Sequence, residues 1–266
     1  MGLLGEALSR PGVRGALWRA WYPFFSRRIA GRGVDFLNYA FDPLDGVRPS
    51  LDDQDEAWRH NVQLYAHVAG SAALRGRRVL EVSCGHGGGA SWIVRTFSPE
   101  AYVGLDLNPE AVRHCGSRHR LPGLSFVQGD AQHLPFADAS FDVVLNVEAS
   151  HCYPDFPGFV DQVARVLKSG GLFLHADLRH AGGLPEWVGT LSRHPRLRLE
   201  AMRLITPEVL RGMEAVSDRH AALVRECLPW PLKGLGRDFA GVRGSLTHRA
   251  LAAGDLDYRS FRLVRC

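Results

Sequence analysis

No run of about 18 consecutive apolar residues, the length a helix needs to cross a bilayer, occurs in the 266 residues, so a membrane-spanning class is not expected. Cysteine is sparse, with five residues at Cys84, Cys115, Cys152, Cys227 and Cys266 and no CxxC pair. An odd count without close spacing excludes a disulfide framework, argues against structural zinc and reads as reduced thiols in a cytoplasmic protein. Histidine is plentiful, yet no HxH or HExxH spacing appears, so no metal is expected. Charge has no strong sign: 32 Lys and Arg against 28 Asp and Glu leave a formal +4. With no broad basic run and no Asn-Pro-Pro-Tyr element, nucleic acid is not an expected partner. An apolar leader core is missing, because Arg10, Arg14 and Arg19 interrupt it, and Glu6 stands where myristoylation of Gly2 wants Ser or Thr. Neither internal repeats nor low-complexity stretches are present. What remains is the composition of a globular protein, 45% hydrophobic and 23% charged, long enough for one large domain or a domain with a lid.

Residues 1–60 differ from the rest and are read as a helical, aromatic N-terminal extension. Arg10, Arg14, Arg19, Arg27, Arg28 and Arg32 are interleaved with Trp18, Trp21, Tyr22, Phe24 and Phe25. Such a segment either lies on a membrane surface or admits a greasy ligand, or it packs its aromatics on the domain with Arg in solvent. Residues 42–56 read as a linker or mobile loop and 55–73 as a helix. From residue 78 short β-rich runs alternate with helical ones. Strands are expected at Arg78–Ser83, Ala101–Asp106, Leu124–Gln128, Phe141–Val147 and Gly171–Asp177. Helices are expected at Ala90–Phe97, Pro109–His119 and Phe156–Leu167. This is the rhythm of a doubly wound α/β fold with a parallel sheet. Beyond 178, strands are expected at Leu197–Ile205 and Tyr258–Val264, with a helix at Pro207–Cys227. The domain is taken as 61–266, with a helical lid insertion at about 206–253.

The strongest local signal is Glu81-Val-Ser83-Cys-Gly85-His-Gly87-Gly-Gly89, which follows a strand and opens a helix. Glycines there permit a sharp turn and close approach to a ligand, and the helix start offers free N–H groups. The Glu81 carboxylate would repel a pyrophosphate but accept from the ammonium of a methionine moiety, directly or through water. Asp106 ends the next strand, where doubly wound folds place a carboxylate for ribose hydroxyls, while Asn108 is the better helix cap. Together these favour S-adenosylmethionine over a dinucleotide.

That turn, with Gly104-Leu-Asp106-Leu107-Asn108, Gly129-Asp130-Ala131, Phe141-Asp142-Val-Val and Leu167-Lys-Ser169-Gly-Gly171, resembles in order the motifs of class I S-adenosylmethionine-dependent methyltransferases. The resemblance covers about 100 residues. It implies a Rossmann-like, mostly parallel seven-stranded sheet, with S-adenosyl-L-methionine as cofactor and S-adenosyl-L-homocysteine as product. It further implies that Asp106 binds the ribose, that Asp130 and Ala131 meet the adenine, and that Asn146 lies beneath the methionine end. Ser83, Gly85, Gly87, Gly89, Leu107 and Asn108 complete the expected cofactor set. Glu81 in place of Asp, and Ser169 where Pro is frequent, depart from the commonest pattern. The segments VLEVSCGHGGGAS (Val79–Ser91), GLDLNPE (Gly104–Glu110), NVEASHCYP (Asn146–Pro154), WYPFF (Trp21–Phe25) and FAGVRGS (Phe239–Ser245) are similar to the mycobacterial phthiotriolone/phenolphthiotriolone dimycocerosate O-methyltransferases. Those enzymes methylate a hydroxyl of a long-chain polyketide-derived lipid, which implies a hydrophobic small-molecule acceptor.

Methyl transfer to a hydroxyl needs a positioned nucleophile, excluded water and a proton acceptor. Glu148 and His151 follow the fourth strand and Asp177 ends the fifth, so the three are expected to converge. His151, whose unperturbed pKa of about 6.5 suits the task, is the candidate base, or else only caps a helix. Asp177 is the candidate orienter, or else a loop cap. Glu148 either orders its loop or contacts the cofactor. Tyr65 either reaches the cofactor carboxylate or packs in the core. Cys152 is expected buried, Cys84 under the turn, and His86 beside the cofactor. The rival readings are a methyltransferase-fold cyclase or a C- or N-methyltransferase, a non-catalytic S-adenosylmethionine-binding protein, and a nicotinamide dehydrogenase.

Overall fold

A computed structural model describes residues 24–29 and 31–266; the expectations resting on Arg10, Arg14, Arg19, Trp18, Trp21 and Tyr22 lie outside them. The architecture follows from strands that are apolar on both faces. In β1 (Arg78–Val82), four consecutive residues are buried. Their two-residue period sends Val79 into one core and Leu80 and Val82 into the other. The fourth strand, at Phe141–Val147, repeats this, with Val143, Leu145 and Val147 on one side and Phe141 and Val144 on the other. Strands of that kind belong inside a parallel sheet covered on both faces.

In chain order the elements are α1 (Asp53–Glu56), α2 (Arg59–Ala69), β1, α3 (Gly88–Phe97), β2 (Ala101–Asp106), α4 (Pro109–Arg118), β3 (Leu124–Gln128) and β4 (Phe141–Val147). There follow α5 (Phe156–Val166), β5 (Leu167–His180), α6 (Leu184–Ser192), β6 (Leu197–Leu204), α7 (Thr206–Cys227), α8 (Lys233–Phe239), α9 (Leu246–Ala253) and β7 (Leu256–Arg265). They build a seven-stranded sheet in the order β3-β2-β1-β4-β5-β7-β6. The first five of these strands run parallel, and β7 is antiparallel to both β5 and β6. Strand order reverses between β1 and β4, so the crevice beyond their carboxyl ends is the expected ligand site.

One face is covered by α2, α3, α7 and α9, through residues such as Val62, Ile93, Val209 and Leu251. The other is covered by α5 and α6. In α5, Phe159, Val160 and Val163 are fully buried on one stripe, and the Asp155 side chain accepts from the Gly158 N–H at 2.9 Å to start the helix. Each such side chain stabilises by about 1.5–3 kcal/mol. The β2, β3 and β4 spans coincide with those expected from alternation. β5 instead begins at Leu167, because Phe141 pairs with Leu167 before the register slips to Val143 with Leu172 around Gly170 at φ +73°. The helix expected over 55–73 is broken at Ala57–Trp58, and α6 was not anticipated.

The described part of the extension is not a separate layer. Residues 24–29 are helical and 31–52 irregular, while Phe36, Tyr39 and Phe41 join the core beneath α2. The expected boundary at residue 60 falls within α2. Asp42 anchors the 42–52 stretch by ion pairs with Arg48 and Arg211. The stretch between β6 and β7 carries α7, α8 and α9.

Candidate cofactor and catalytic site

A cavity of about 410 Å³ opens at the carboxyl ends of β1, β2 and β4, within the range of about 300–1,000 Å³ typical of small-molecule sites. Its floor is the glycine turn. Ser83, at φ +60°, ends β1 in the left-handed region, and its hydroxyl meets the Tyr153 hydroxyl at 2.6 Å. Gly85 donates its N–H to Asp106 Oδ2 at 2.9 Å, tying the turn to the end of β2. A Cβ on Gly89 would sit 2.0 Å from the Tyr65 ring, so only glycine lets α2 and α3 approach this closely. Gly87 faces elsewhere: a Cβ there would strike His119, Cys115 and Phe126. The first N–H of α3 is also engaged, since Gly88 donates to the Asp35 carbonyl at 2.9 Å.

Of the expected cofactor residues, Tyr65, Ser83, Gly85, Gly89, Asp106, Leu107, Asn108, Asp130 and Ala131 line this cavity. Asp106 also accepts from Asn108 N–H at 2.8 Å. Burial pushes its carboxyl up to about 6, against the pull of the Asn108 and Gly85 N–H donors. Leu107, nearly half exposed, presents an apolar face beside it. Asn108 caps α4 through the Glu110 N–H at 3.0 Å and holds Ser26 Oγ at 3.0 Å. Asp130 keeps its carboxylate partly open to solvent.

Glu81 does not face the cavity, contrary to expectation. It is fully buried. Its two oxygens accept from Tyr65 at 2.7 Å and Tyr102 at 2.8 Å. Burial pushes its carboxyl up to about 7, opposed by those two donors. Fully buried and holding both tyrosine hydroxyls, it supports Tyr65 and does not itself line the cavity. Asn146 is likewise behind the wall. Its amide donates to the Val82 carbonyl at 2.9 Å and to Tyr153 at 3.0 Å, and its Oδ1 is buried without a partner. His86 is buried, bonding the Val34 carbonyl and Ser26 and thereby clamping the N-terminal segment to the turn.

At one edge of the cavity, β4 runs into a 3-10 turn at Ser150–Cys152. His151 Nδ1 lies 2.8 Å from Asp177 Oδ1. Asp177 is fully buried and also accepts from Ser150 Oγ at 2.6 Å and from the His151 N–H at 2.9 Å, with Arg179 3.1 Å away. Burial would raise this carboxyl, but the His151 and Arg179 charges hold it well below the usual range. His151 is pushed up to about 10: burial opposes the shift, and the Cys152 sulfur and Asp177 carboxylate overcome it. The flanking Ala149 and Cys152 line the cavity, beside which Asp177 is fully buried and His151 keeps 18% of its side chain exposed. Cys152 is half-buried on that wall instead of enclosed as expected.

Glu148 lines the cavity at φ +52°, a conformation costing about 1–3 kcal/mol for a non-glycine residue. It is held there by the Tyr39 N–H, which meets its two oxygens at 3.0 and 2.9 Å, and by the Tyr258 hydroxyl at 2.8 Å. Burial pushes Glu148 up to about 8, opposed by those donors. Its geometry is that of a strap holding residue 39 over β4.

Sequence reasoning missed Tyr153, Gln132 and the Asp35–Asn38 stretch on the wall, and Ser150 and Arg179 behind Asp177. Tyr153 was discoverable as the next aromatic in the loop after β4. Nothing local marks Asp35–Asn38, whose place is set by tertiary packing. Among the described residues, no group of three or more His, Cys, Asp or Glu is arranged to hold a metal, and no helix is long and apolar enough to cross a membrane.

A doubly wound sheet with this turn, a carboxylate ending β2 and a cavity at the switch point defines a class I S-adenosylmethionine-dependent methyltransferase. The methyltransferase domain family matches residues 80–175. The chain is 47% identical over 245 residues to the phthiotriol/phenolphthiotriol dimycocerosates methyltransferase of Mycobacterium tuberculosis, covering 92% of this chain and 90% of that one. It is 44% identical over 246 residues to the fatty-acid O-methyltransferase of Mycolicibacterium smegmatis, covering 92% and 88%. A solved [4+2]-cyclase, SpnF, shares the fold with a TM-score of 0.72 at 19% identity, over 92% of this chain and 94% of that one. The chain belongs to the family of the phthiotriol/phenolphthiotriol dimycocerosates methyltransferases.

Proposed function

We propose that this enzyme transfers a methyl group from S-adenosylmethionine to a hydroxyl of a hydrophobic, lipid- or polyketide-derived acceptor. The observation that carries the reading is the pairing of half-buried His151 with fully buried Asp177, at 2.8 Å, beside the Ala149 and Cys152 wall of the cavity. The residues present fit the cofactor: a carboxylate ends β2 with an apolar leucine beside it, and Gly85 and Gly89 of the turn bring backbone to the cavity wall. In this reading Asp106 accepts from the ribose hydroxyls, Asp130 and Ala131 meet the adenine with Leu107 against its face, and Tyr65, steadied by Glu81, borders the methionine end. When bound, the sulfonium supplies the electrophilic methyl. His151 takes the acceptor proton at Nε2 while Asp177 fixes Nδ1–H and stabilises the imidazolium. Glu148 serves as strap. No metal takes part, so chelation leaves turnover unchanged.

The acceptor pocket is taken to lie between the N-terminal segment and the β6–β7 insertion. Deleting residues 1–40 would remove Phe36 and Tyr39 from the core, so removal of residues 1–23 is the cleaner probe of acceptor use. The deciding experiment incubates the enzyme with S-adenosylmethionine and a panel of long-chain alcohols, alkylphenols and fatty acids, and measures S-adenosylhomocysteine. Turnover of a hydroxyl acceptor that collapses in His151→Ala supports the reading. Tight cofactor binding without any turnover, or turnover indifferent to His151, overturns it.

A further inference from the structure

Asp177 and Arg179 stand two positions apart on β5, so their side chains leave the same face of the strand. Arg179 keeps 15% of its side chain exposed. Its Cζ lies 4.7 Å from the ring centre of Trp187 on α6 and 5.2 Å from that of Phe156 at the start of α5. Trp187 is itself fixed, since its indole N–H donates to His175 Nε2 at 3.3 Å. Stacked in this way, the guanidinium donates through Nη1 to the Leu178 carbonyl at 2.8 Å and through Nη2 to Ser150 Oγ at 2.7 Å, with Nη1 3.1 Å from Asp177 Oδ2. A planar, delocalised fork stacks and donates along its edge at once, which an ammonium cannot do.

The two oxygens of Asp177 are thereby given different tasks. Oδ2 accepts from Ser150 Oγ at 2.6 Å and from the His151 backbone N–H at 2.9 Å, and it faces Arg179. Oδ1 accepts from the Leu178 N–H and meets His151 Nδ1, each at 2.8 Å. Ser150 donates to Oδ2 while accepting from Arg179, so its hydroxyl is polarised toward the carboxylate. Every donor and cation on the Oδ2 side draws on the charge of the carboxylate and weakens its pull on an imidazolium at Oδ1.

We propose that Arg179 is a positioning residue for the proton transfer: through Ser150 and Asp177 Oδ2 it fixes the carboxylate against His151 and tempers its pull, so that the ring gives up its proton more readily and serves as base. The proposal rests on the functional reading above and adds what sets the strength of that base. The other ionisable groups about the pair are Cys152 in the turn, Glu148 at the end of β4, His175 on β5, Tyr153 in the loop before α5 and Tyr258 on β7. Arg179 is the cation that stands against the carboxylate on the side away from the imidazole.

The test follows the His151 ring itself, independently of turnover. Histidine rings labelled with a heavy nitrogen isotope are titrated by NMR, and His151→Ala identifies the signal. Arg179→Met removes the cation and the fork but still fills the space beside the two rings. The His151 titration should then rise by about half to one pH unit, and turnover at about pH 8 should fall about three- to tenfold with the high-pH plateau kept. Ser150→Ala should move both in the same direction by less. Arg179→Lys returns the charge without the fork and should bring the titration back toward the parent. The direction separates tempering from simple loosening, because a carboxylate that had swung away would let the His151 titration fall. Calorimetry with S-adenosylmethionine shows whether each variant is folded, and Ser150→Ala decides where Arg179→Met is not. A His151 titration that is unchanged or lowered in the folded variants overturns the proposal. If the titration shifts as stated while turnover ignores His151, the functional reading fails and the hold of Arg179 on the pair stands. If turnover depends on His151 but the titration ignores Arg179 and Ser150, the proposal fails alone.

Discussion

The pH dependence of turnover follows from how firmly the Cys152 sulfur and the Asp177 carboxylate favour the charged form of His151. With His151 raised to about 10, only about one imidazole in a thousand is neutral at about pH 7. The neutral ring is the base, and it is populated above the pKa, so the rate should climb close to tenfold per pH unit from about pH 7 to 9 and level off near 10. Loss of the ring in His151→Ala should cost about 10²–10⁴-fold and abolish the slope. That corresponds to about 3–5 kcal/mol in the barrier. Asp177→Asn removes one of the two groups that favour the charged ring, leaving Cys152, so the rising limb should move to lower pH while the plateau falls. Glu148, near 8, titrates in the same window, and Glu148→Gln should keep the slope if His151 is its source. The assay is single-turnover methylation of an aliphatic alcohol, whose own hydroxyl does not ionise over this range. A flat profile between about pH 7 and 9, or a slope that survives His151→Ala, refutes the assignment.

Asp106→Asn should weaken S-adenosylmethionine binding roughly 10- to 150-fold, the value of a charge-assisted hydrogen bond, as read by calorimetry. Because burial lifts Asp106 to about 6, affinity in the parent should fall as pH drops through that value and the carboxylate is protonated. Gly89→Ala drives a methyl into the Tyr65 ring and should cost about 1–3 kcal/mol of stability in denaturant unfolding. Tyr65→Phe leaves one Glu81 oxygen without its donor and should cost about 1–3 kcal/mol. That loss should grow above about pH 7, where Glu81 is ionised.

The doubly wound core was legible because its signals are local. Short apolar, β-rich runs at Ala101–Asp106 and Phe141–Val147 mark strands buried on both faces, and Pro109 behind Asn108 marks a helix start. α6 escaped notice because only Trp187 and Leu191 of its nine residues are buried, too few to show a period. The expected approach of His151 to Asp177 is seen at 2.8 Å, and Gly85 and Asp106 do line the cavity, because each lies at a strand end or in the turn that follows one. The site was misread where partners are distant in sequence. Glu81 looks like a ligand residue until Tyr65 and Tyr102 are seen to occupy it. Glu148 was expected among the converging catalytic residues, ordering its loop or touching the cofactor, and which partners it holds, Tyr39 and Tyr258, was not visible in the sequence. No sequence window contains residues 39, 148 and 258 together.

That last triangle ties together three distant stretches of chain. Tyr39 lies 109 positions before Glu148 and Tyr258 lies 110 after it. The roof over the ligand site is therefore fastened only when β7 lies between β5 and β6. A change that loosens β7 at Tyr258 would free one of the two groups holding Glu148 and so unfasten the cover, while the glycine turn, built from β1 and β2, keeps its own contacts.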